Sequence, residues 1–290
     1  MDTLKITKKI IGMYEVKAKK SFGQNFLIDD NVLESIAGLV DTNMDDLIIE
    51  IGPGLGNLTH YLKQKSNLLL SEVDKNMVEV IENRFEDKSN LKLVFNDVSK
   101  VNIDEEIRIL EKEKSKKFNK VKVVANLPYY ITSPILFKLL EESQIIDEIV
   151  VMVQNEVADR INAMVKSKDY GILTLMMEFY AKCTKEIVVS PNSFIPAPKV
   201  TSAVIRIKKE NKYENVNKEI FKELVHKAFA NRRKKMINSL CMNNFMNLSK
   251  EDIKNIFANC NLSELTRAEE LTIHKYIELT NYIDNTAKSC

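Results

Sequence analysis

Residues 47–59 read LIIEIGPGLGNLT. The apolar run LIIEIG at 47–52 has the character of a strand buried on both faces. It ends in Gly52, Gly54 and Gly56, and a helical segment follows through Leu58 to Lys65. Glycine tolerates the positive φ of a tight strand-to-helix turn and removes side chains where a ligand approaches backbone. The amides at the start of the helix then face that ligand. Working outward, strand-like runs recur at 67–74, 91–97, 121–129 and 148–153. Helical segments follow Lys75 to Phe85 and Pro134 to Glu142, and Asp29 or Asp30 caps another that runs to about Val40. Strands alternating with helices at this pitch predict an α/β fold with a doubly wound parallel sheet.

The ends of the chain read differently. The first thirty residues are basic and irregular. After the fifth strand, helices are expected over Gln154 to Met164 and Tyr170 to Tyr180. Strands are expected over 185–190 and 202–209, which can close an antiparallel edge. The charged stretch 111–122 reads as a solvated helix end or loop. From Asn211 onwards there is neither glycine nor proline, and Ile220, Phe221, Leu224, Val225 and Ala228 share one helical face. The expected division is therefore a sheet domain over 1–209 and a smaller all-helical domain over 210–290.

Composition excludes several classes. Of 290 residues, 44% are hydrophobic and 29% charged, enough apolar character for a packed core. Lys and Arg total 43 against 41 Asp and Glu, so any nucleic-acid affinity must come from local clustering of charge. The four cysteines form no CxxC pair and the three histidines are scattered, a pattern that predicts no metal site and no disulfide framework. The longest aliphatic run, 149–153, is too short to span a bilayer, and the first twenty residues lack the apolar core of a secretion signal. A reduced, cytoplasmic protein with no membrane partner is expected.

Three further motifs fall at strand ends, where open α/β sheets bind ligands. Glu72 lies twenty residues after Gly52, the position from which an acid accepts hydrogen bonds from a ribose. Dinucleotides and S-adenosylmethionine both carry that ribose, so this pair leaves the choice open. Asp97, after Asn96, can accept an exocyclic amine or cap a turn. NLPY at 126–129 narrows the reaction. Pro128 holds Leu127 extended, so the Leu127 carbonyl and the Asn126 side-chain oxygen become two acceptors aimed into the crevice. The N6 amine of adenine has two hydrogens to donate and a lone pair delocalised into its ring. Paired acceptors localise that lone pair, and Tyr129 can stack on the base.

With these motifs, the sequence resembles the small-subunit (16S) ribosomal RNA adenine dimethyltransferases over nearly its whole length. The resemblance rests on KKSFGQNFLID (19–29), EIGPGLGNLT (50–59), NLPYYIT (126–132), FIPAPKVTSAV (194–204), AFANRRKKMINSL (228–240) and RAEELT (267–272). It implies a Rossmann-like class I S-adenosylmethionine methyltransferase domain. It also implies cofactor contacts from Asn25, Leu27, Gly52, Glu72, Asp97 and Asn126, with Gln24 beside them and Gly54 in the turn. Tyr129 and Phe194 are implied to sandwich the target adenine. The implied activity is dimethylation of two adjacent adenines near the 3′ end of 16S rRNA, within the immature 30S subunit, by a monomer that acts on no DNA.

The basic cluster Arg232, Arg233, Lys234 and Lys235 is the clearest RNA footprint, and Lys17, Lys19 and Lys20 add charge near the cofactor motif. Two rivals remain open at this stage. One is the erythromycin-resistance type of 23S rRNA dimethyltransferase, which shares the chemistry but usually carries Ile at the position of Leu127. The other is a non-catalytic assembly factor with the same fold.

Overall fold

The structure, a computed structural model, describes residues 2–16, 24–129, 131–210 and 212–289. The chain divides into two compact units. One comprises Met1–Ala158 and Thr184–Lys209, the other Asp159–Cys183 and Glu210–Cys290.

A seven-stranded sheet organises the first unit. Its order is β4 (Leu91–Phe95), β3 (Asn67–Glu72), β2 (Leu47–Ile51), β5 (Val121–Asn126), β6 (Glu148–Gln154), β9 (Ser202–Lys209) and β7 (Ala181–Val189). The pairs β2–β3, β3–β4, β2–β5 and β5–β6 are parallel, and β9 runs antiparallel to β6. Every residue of β2 and β3 is buried, as an unbroken apolar run in a sheet covered on both faces requires. Chain order reverses between β2 and β5, so their carboxyl ends flank the crevice where such sheets hold ligands. A separate two-stranded ladder joins β1 (Phe26–Leu27) to β8 (Phe194–Ile195), with Leu27 opposite Phe194.

The parallel alternation agrees with the sequence reading, and so does the antiparallel addition of a late strand. Three expectations change. The first thirty residues are not wholly irregular: α1 spans Thr3–Met13, capped by the Asp2 carboxylate, which accepts from the Lys5 amide at 3.0 Å. Ile6 and Ile10, four residues apart, pack α1 onto a cluster with Phe26, Leu55, Met77 and Val80. A further helix, α5 (Ile103–Glu113), fills the connection between β4 and β5, and the charged stretch beginning at Glu111 is its solvated end. Finally, 159–183 groups with the helical unit, although β7 of the sheet already begins at Ala181.

That last correction has a packing cause. The second unit contains α8 (Ile172–Tyr180), α9 (Lys218–Phe229), α10 (Met236–Met242), α11 (Lys250–Asn259) and α12 (Ile273–Ser289). Phe179 of α8 stacks on Phe221 of α9 with centroids 4.2 Å apart and on Tyr213 at 5.5 Å. The Tyr170 ring is fully buried, and its hydroxyl donates to the Leu271 carbonyl at 2.8 Å. Aromatic burial of this kind outweighs sequence proximity in deciding which unit a segment joins.

Candidate active site and cofactor cavity

A cavity of about 230 Å³ opens at the carboxyl ends of β2, β3, β4 and β5. Its walls come from 24–27, the turn 50–58, 71–74, 96–98 and 126–129, with Leu33, Ile131 and Ile135. The turn is a conformational necessity. Gly52, Gly54 and Gly56 have φ of +68°, +56° and +77°. A Cβ on Gly56 would lie 2.8 Å from the Ile81 and Phe85 side chains, so α4 (Lys75–Arg84) can approach only a glycine there. At Gly52 a Cβ would meet no protein atom within 4 Å. That glycine leaves space open beside the backbone, as a seat for a ligand requires.

The acids stand where the sequence placed them, and each is already engaged. Glu72, 5% exposed, accepts from the Gly54 amide at 3.1 Å through Oε2. Its Oε1 accepts from the Val73 and Asp74 amides, each at 2.9 Å. Burial raises its pKa, and these three amides oppose the rise. Each carboxylate oxygen accepts more than one hydrogen, so capacity for a hydroxyl remains. Asp97 lines the opposite wall and accepts from the Ser99 hydroxyl at 2.6 Å and the Ser99 amide at 3.0 Å. The Ser99 hydroxyl bond is the main cause of its lowered pKa. Gln24 donates to Asp74 at 3.0 Å, tying the segment before β1 to the end of β3.

At the tip of β5, the Asn126 amide nitrogen donates to the Asn25 carbonyl at 3.3 Å. A carbonyl can only accept, so this bond fixes the orientation of the amide and leaves Oδ1 as its acceptor. Pro128 contributes its carbonyl to the Ile131 amide and the Thr132 hydroxyl, both at 3.1 Å, which closes the turn into α6 (Thr132–Glu142). The Leu127 carbonyl accepts no such bond among the described residues. Tyr129 is half-buried on the cavity wall, with its hydroxyl 2.6 Å from Ser202 Oγ at the start of β9.

Sequence reasoning is corrected at Phe194. It does not line the cavity; it is 3% exposed and packs in the central core with Leu27, Met152, Val189 and Val204. Lys17, Lys19 and Lys20 lie outside the described residues. Arg233, Lys234 and Lys235 come together around a cleft of the helical unit, joined by Lys250 and Arg267. Arg232 does not line that cleft, and its guanidinium donates to the Ser167 carbonyl at 3.0 Å.

Two residues escaped the sequence reading. Glu50, in β2, is 2% exposed on the cavity floor; burial pushes its pKa up to about 8, against the lowering effect of the Thr59 hydroxyl at 2.7 Å. An acid inside an apolar strand was the available signal. Asn57 is 6% exposed and bonds to three other segments at once, which spacing along the chain does not reveal.

The cavity suits S-adenosylmethionine by the chemistry of its groups. Carboxylates stand at the ends of β3 and β4, positive-φ backbone leaves room at Gly52, and Phe26, Leu27, Val73, Val98 and Leu127 offer apolar surface. Comparison with known proteins agrees. The family described as "Ribosomal RNA adenine dimethylase" matches residues 15–284. "Ribosomal RNA small subunit methyltransferase A" of Clostridioides difficile (strain 630) is 40% identical over 288 residues, covering 98% of this chain and 96% of that protein. The protein of the same name from Alkaliphilus metalliredigens (strain QYMF) is 39% identical, covering 96% of each. Among solved structures, a dimethyladenosine transferase from Plasmodium falciparum superposes with a TM-score of 0.74 at 24% identity, covering 90% of this chain and 98% of that one.

Proposed function

Because the chain belongs to the ribosomal RNA adenine dimethylase family, we propose that it dimethylates the N6 amines of two adjacent adenines near the 3′ end of 16S rRNA in the immature 30S subunit. The observation that carries the reading is the tip of β5: Asn126 and Leu127 line the same cavity as the glycine turn and the two acids, and the Asn126 amide nitrogen is bonded to the Asn25 carbonyl, leaving its oxygen as an acceptor. When bound, S-adenosylmethionine supplies an electrophilic methyl carbon on a sulfonium sulfur.

The rest is work for the protein. Gly52, Gly54, Glu72 and Asp97 hold the nucleoside part of the cofactor, and Gln24, Asn25 and Leu27 close its front. Asn126 Oδ1 and the Leu127 carbonyl accept the two N6 hydrogens and draw the amine out of conjugation, so that its lone pair points along one line. Pro128 keeps both acceptors rigid. Tyr129 stacks on the adenine, a contact worth about 1–3 kcal/mol by analogy with bases held on aromatic platforms. Phe194 acts from the core, backing Leu27 rather than touching the base.

Arg233, Lys234 and Lys235, with Lys250 and Arg267, form a phosphate-binding surface, consistent with five cations around one cleft. The large-subunit alternative is not favoured, since the curated relatives at about 40% identity are named for the small subunit. The same reading makes the protein a cytoplasmic monomer, and no helix among the described residues is long and apolar enough to cross a membrane.

The test is transfer of labelled methyl groups from S-adenosylmethionine to immature 30S subunits, followed by nucleoside analysis. Label in N6,N6-dimethyladenosine of 16S rRNA is expected. Preferential labelling of naked 23S rRNA would overturn the reading.

A further inference from the structure

The N-terminal helix α1 supplies no residue to the cavity wall among the described residues, yet two of its polar side chains, Thr3 and Thr7, are completely buried. Thr3 hydrogen-bonds to Asp30, at the start of α2 (Asp30–Leu39). Thr7 meets Asn57, the first residue of α3 (Asn57–Leu62), directly after the glycine turn.

The Asn57 carboxamide has one arrangement. Its nitrogen donates to the Leu27 carbonyl at 2.8 Å, and its oxygen accepts from Arg84 of α4 at 2.8 Å. A backbone carbonyl cannot donate and a guanidinium cannot accept, so the amide cannot be turned over. The second nitrogen-bound hydrogen therefore goes to Thr7 Oγ1, at 2.9 Å. The same Arg84 nitrogen also bonds to the Leu55 carbonyl inside the turn. One buried amide thus ties together α1, the 24–27 wall, the glycine turn and α4.

We propose that Asn57 is a positioning residue for the cofactor cavity, and that Thr7 of the N-terminal helix is the group that holds it in place. Leu27 and Asn57 both line the cavity while Thr7 does not, so Thr7 acts through Asn57. Removing the Thr7 hydroxyl leaves a buried N–H unpaired. The amide then regains a partner by rotating, at the expense of Leu27 or Arg84. Either movement shifts the front wall against the turn. The effect falls on cofactor binding, because Leu27 and the glycine turn both line the cavity. The inference rests on the assignment of the cavity to S-adenosylmethionine.

The experiment compares Thr7→Val with Thr7→Ser in the full chain. Calorimetric titration with S-adenosylmethionine and with S-adenosylhomocysteine is expected to show binding about five- to tenfold weaker in Thr7→Val, in proportion to the loss of one buried hydrogen bond, and restored in Thr7→Ser. Hydrogen exchange at 24–28 in the ligand-free protein should quicken in the valine variant alone. The affinity for rRNA should match the parent. A valine variant that melts lower but binds both ligands as the parent does would overturn the proposal, as would weakened binding that serine fails to restore. Asp97→Ala and Glu72→Gln test the underlying assignment separately. If both bind the ligands with parental affinity, the cavity is not the cofactor site, whatever the Thr7 variants show.

Discussion

At the scale of single residues, Glu50 and Asn126 illustrate opposite uses of a buried polar group. Glu50 is held by one hydroxyl in an otherwise apolar strand, and burial lifts its pKa to about 8. In the unfolded chain the same acid loses its proton near pH 4.5. Its contribution to stability is therefore complete below pH 4.5, declines as the pH rises towards 8, and is flat beyond. Glu50→Gln retains an acceptor for Thr59 and has no charge to bury. Its melting temperature should gain on the parent between pH 5 and 8, equivalent to about 2–4 kcal/mol at the upper end; parallel pH curves would refute the buried carboxylate. Asn126, by contrast, uses its nitrogen to fix its oxygen. Asn126→Ala should lower kcat about 100- to 1000-fold, the usual consequence of deleting one preorganised polar group that acts on a developing charge. Single-turnover methyl transfer checks this, with an intact melting curve as control.

Among elements, the strand-to-helix turns and the buried charges between strands set the tolerances. Gly56→Ala combines a φ of +77° with Cβ contacts of 2.8 Å to Ile81 and Phe85. It should cost about 2–4 kcal/mol, as overpacking adds to backbone strain, and weaken cofactor binding in the same variant. Lys122, 3% exposed in β5, lies 3.7 Å from Glu148 in β6, and Arg206 in β9 grips the same carboxylate at 2.6 and 3.2 Å. Glu148→Gln leaves two cations facing a neutral group and should destabilise by about 3 kcal/mol, read by denaturant unfolding. The parallel strands were legible because short apolar runs alternating with helical segments at a regular pitch have few other outcomes. The elements α1 and α5 were not, since their apolar residues are diluted by lysine and glutamate and signal only through spacing. The β1–β8 ladder was out of reach as well, because a pairing between residues 26–27 and 194–195 leaves no local trace. For the same reason the cavity residues at strand tips could be read from motifs, whereas the burial of Phe194 could not.

Across the whole molecule, charge is nearly balanced, so affinity for rRNA must be local. Replacing Arg233, Lys234 and Lys235 by Gln should weaken binding to immature 30S subunits. It should also flatten the salt dependence by about 0.7–0.9 in log–log slope for each phosphate no longer neutralised. Filter binding across salt concentrations measures both, and cofactor affinity should be unaffected. Arg232, whose guanidinium is committed to the Ser167 carbonyl, should change stability more than the slope.

The helical unit is drawn from two separated lengths of chain, with 184–209 returning to the sheet between them. The polypeptide passes from one unit to the other three times, so no single cut releases either as a finished piece. A fragment beginning at residue 210 would leave Phe221 without Phe179 to stack against, and Leu271 without the donor from Tyr170. Anyone excising the helical unit must carry 159–183 along with it, stitched on by a linker. Swapping that unit between relatives likewise calls for two exchanged segments.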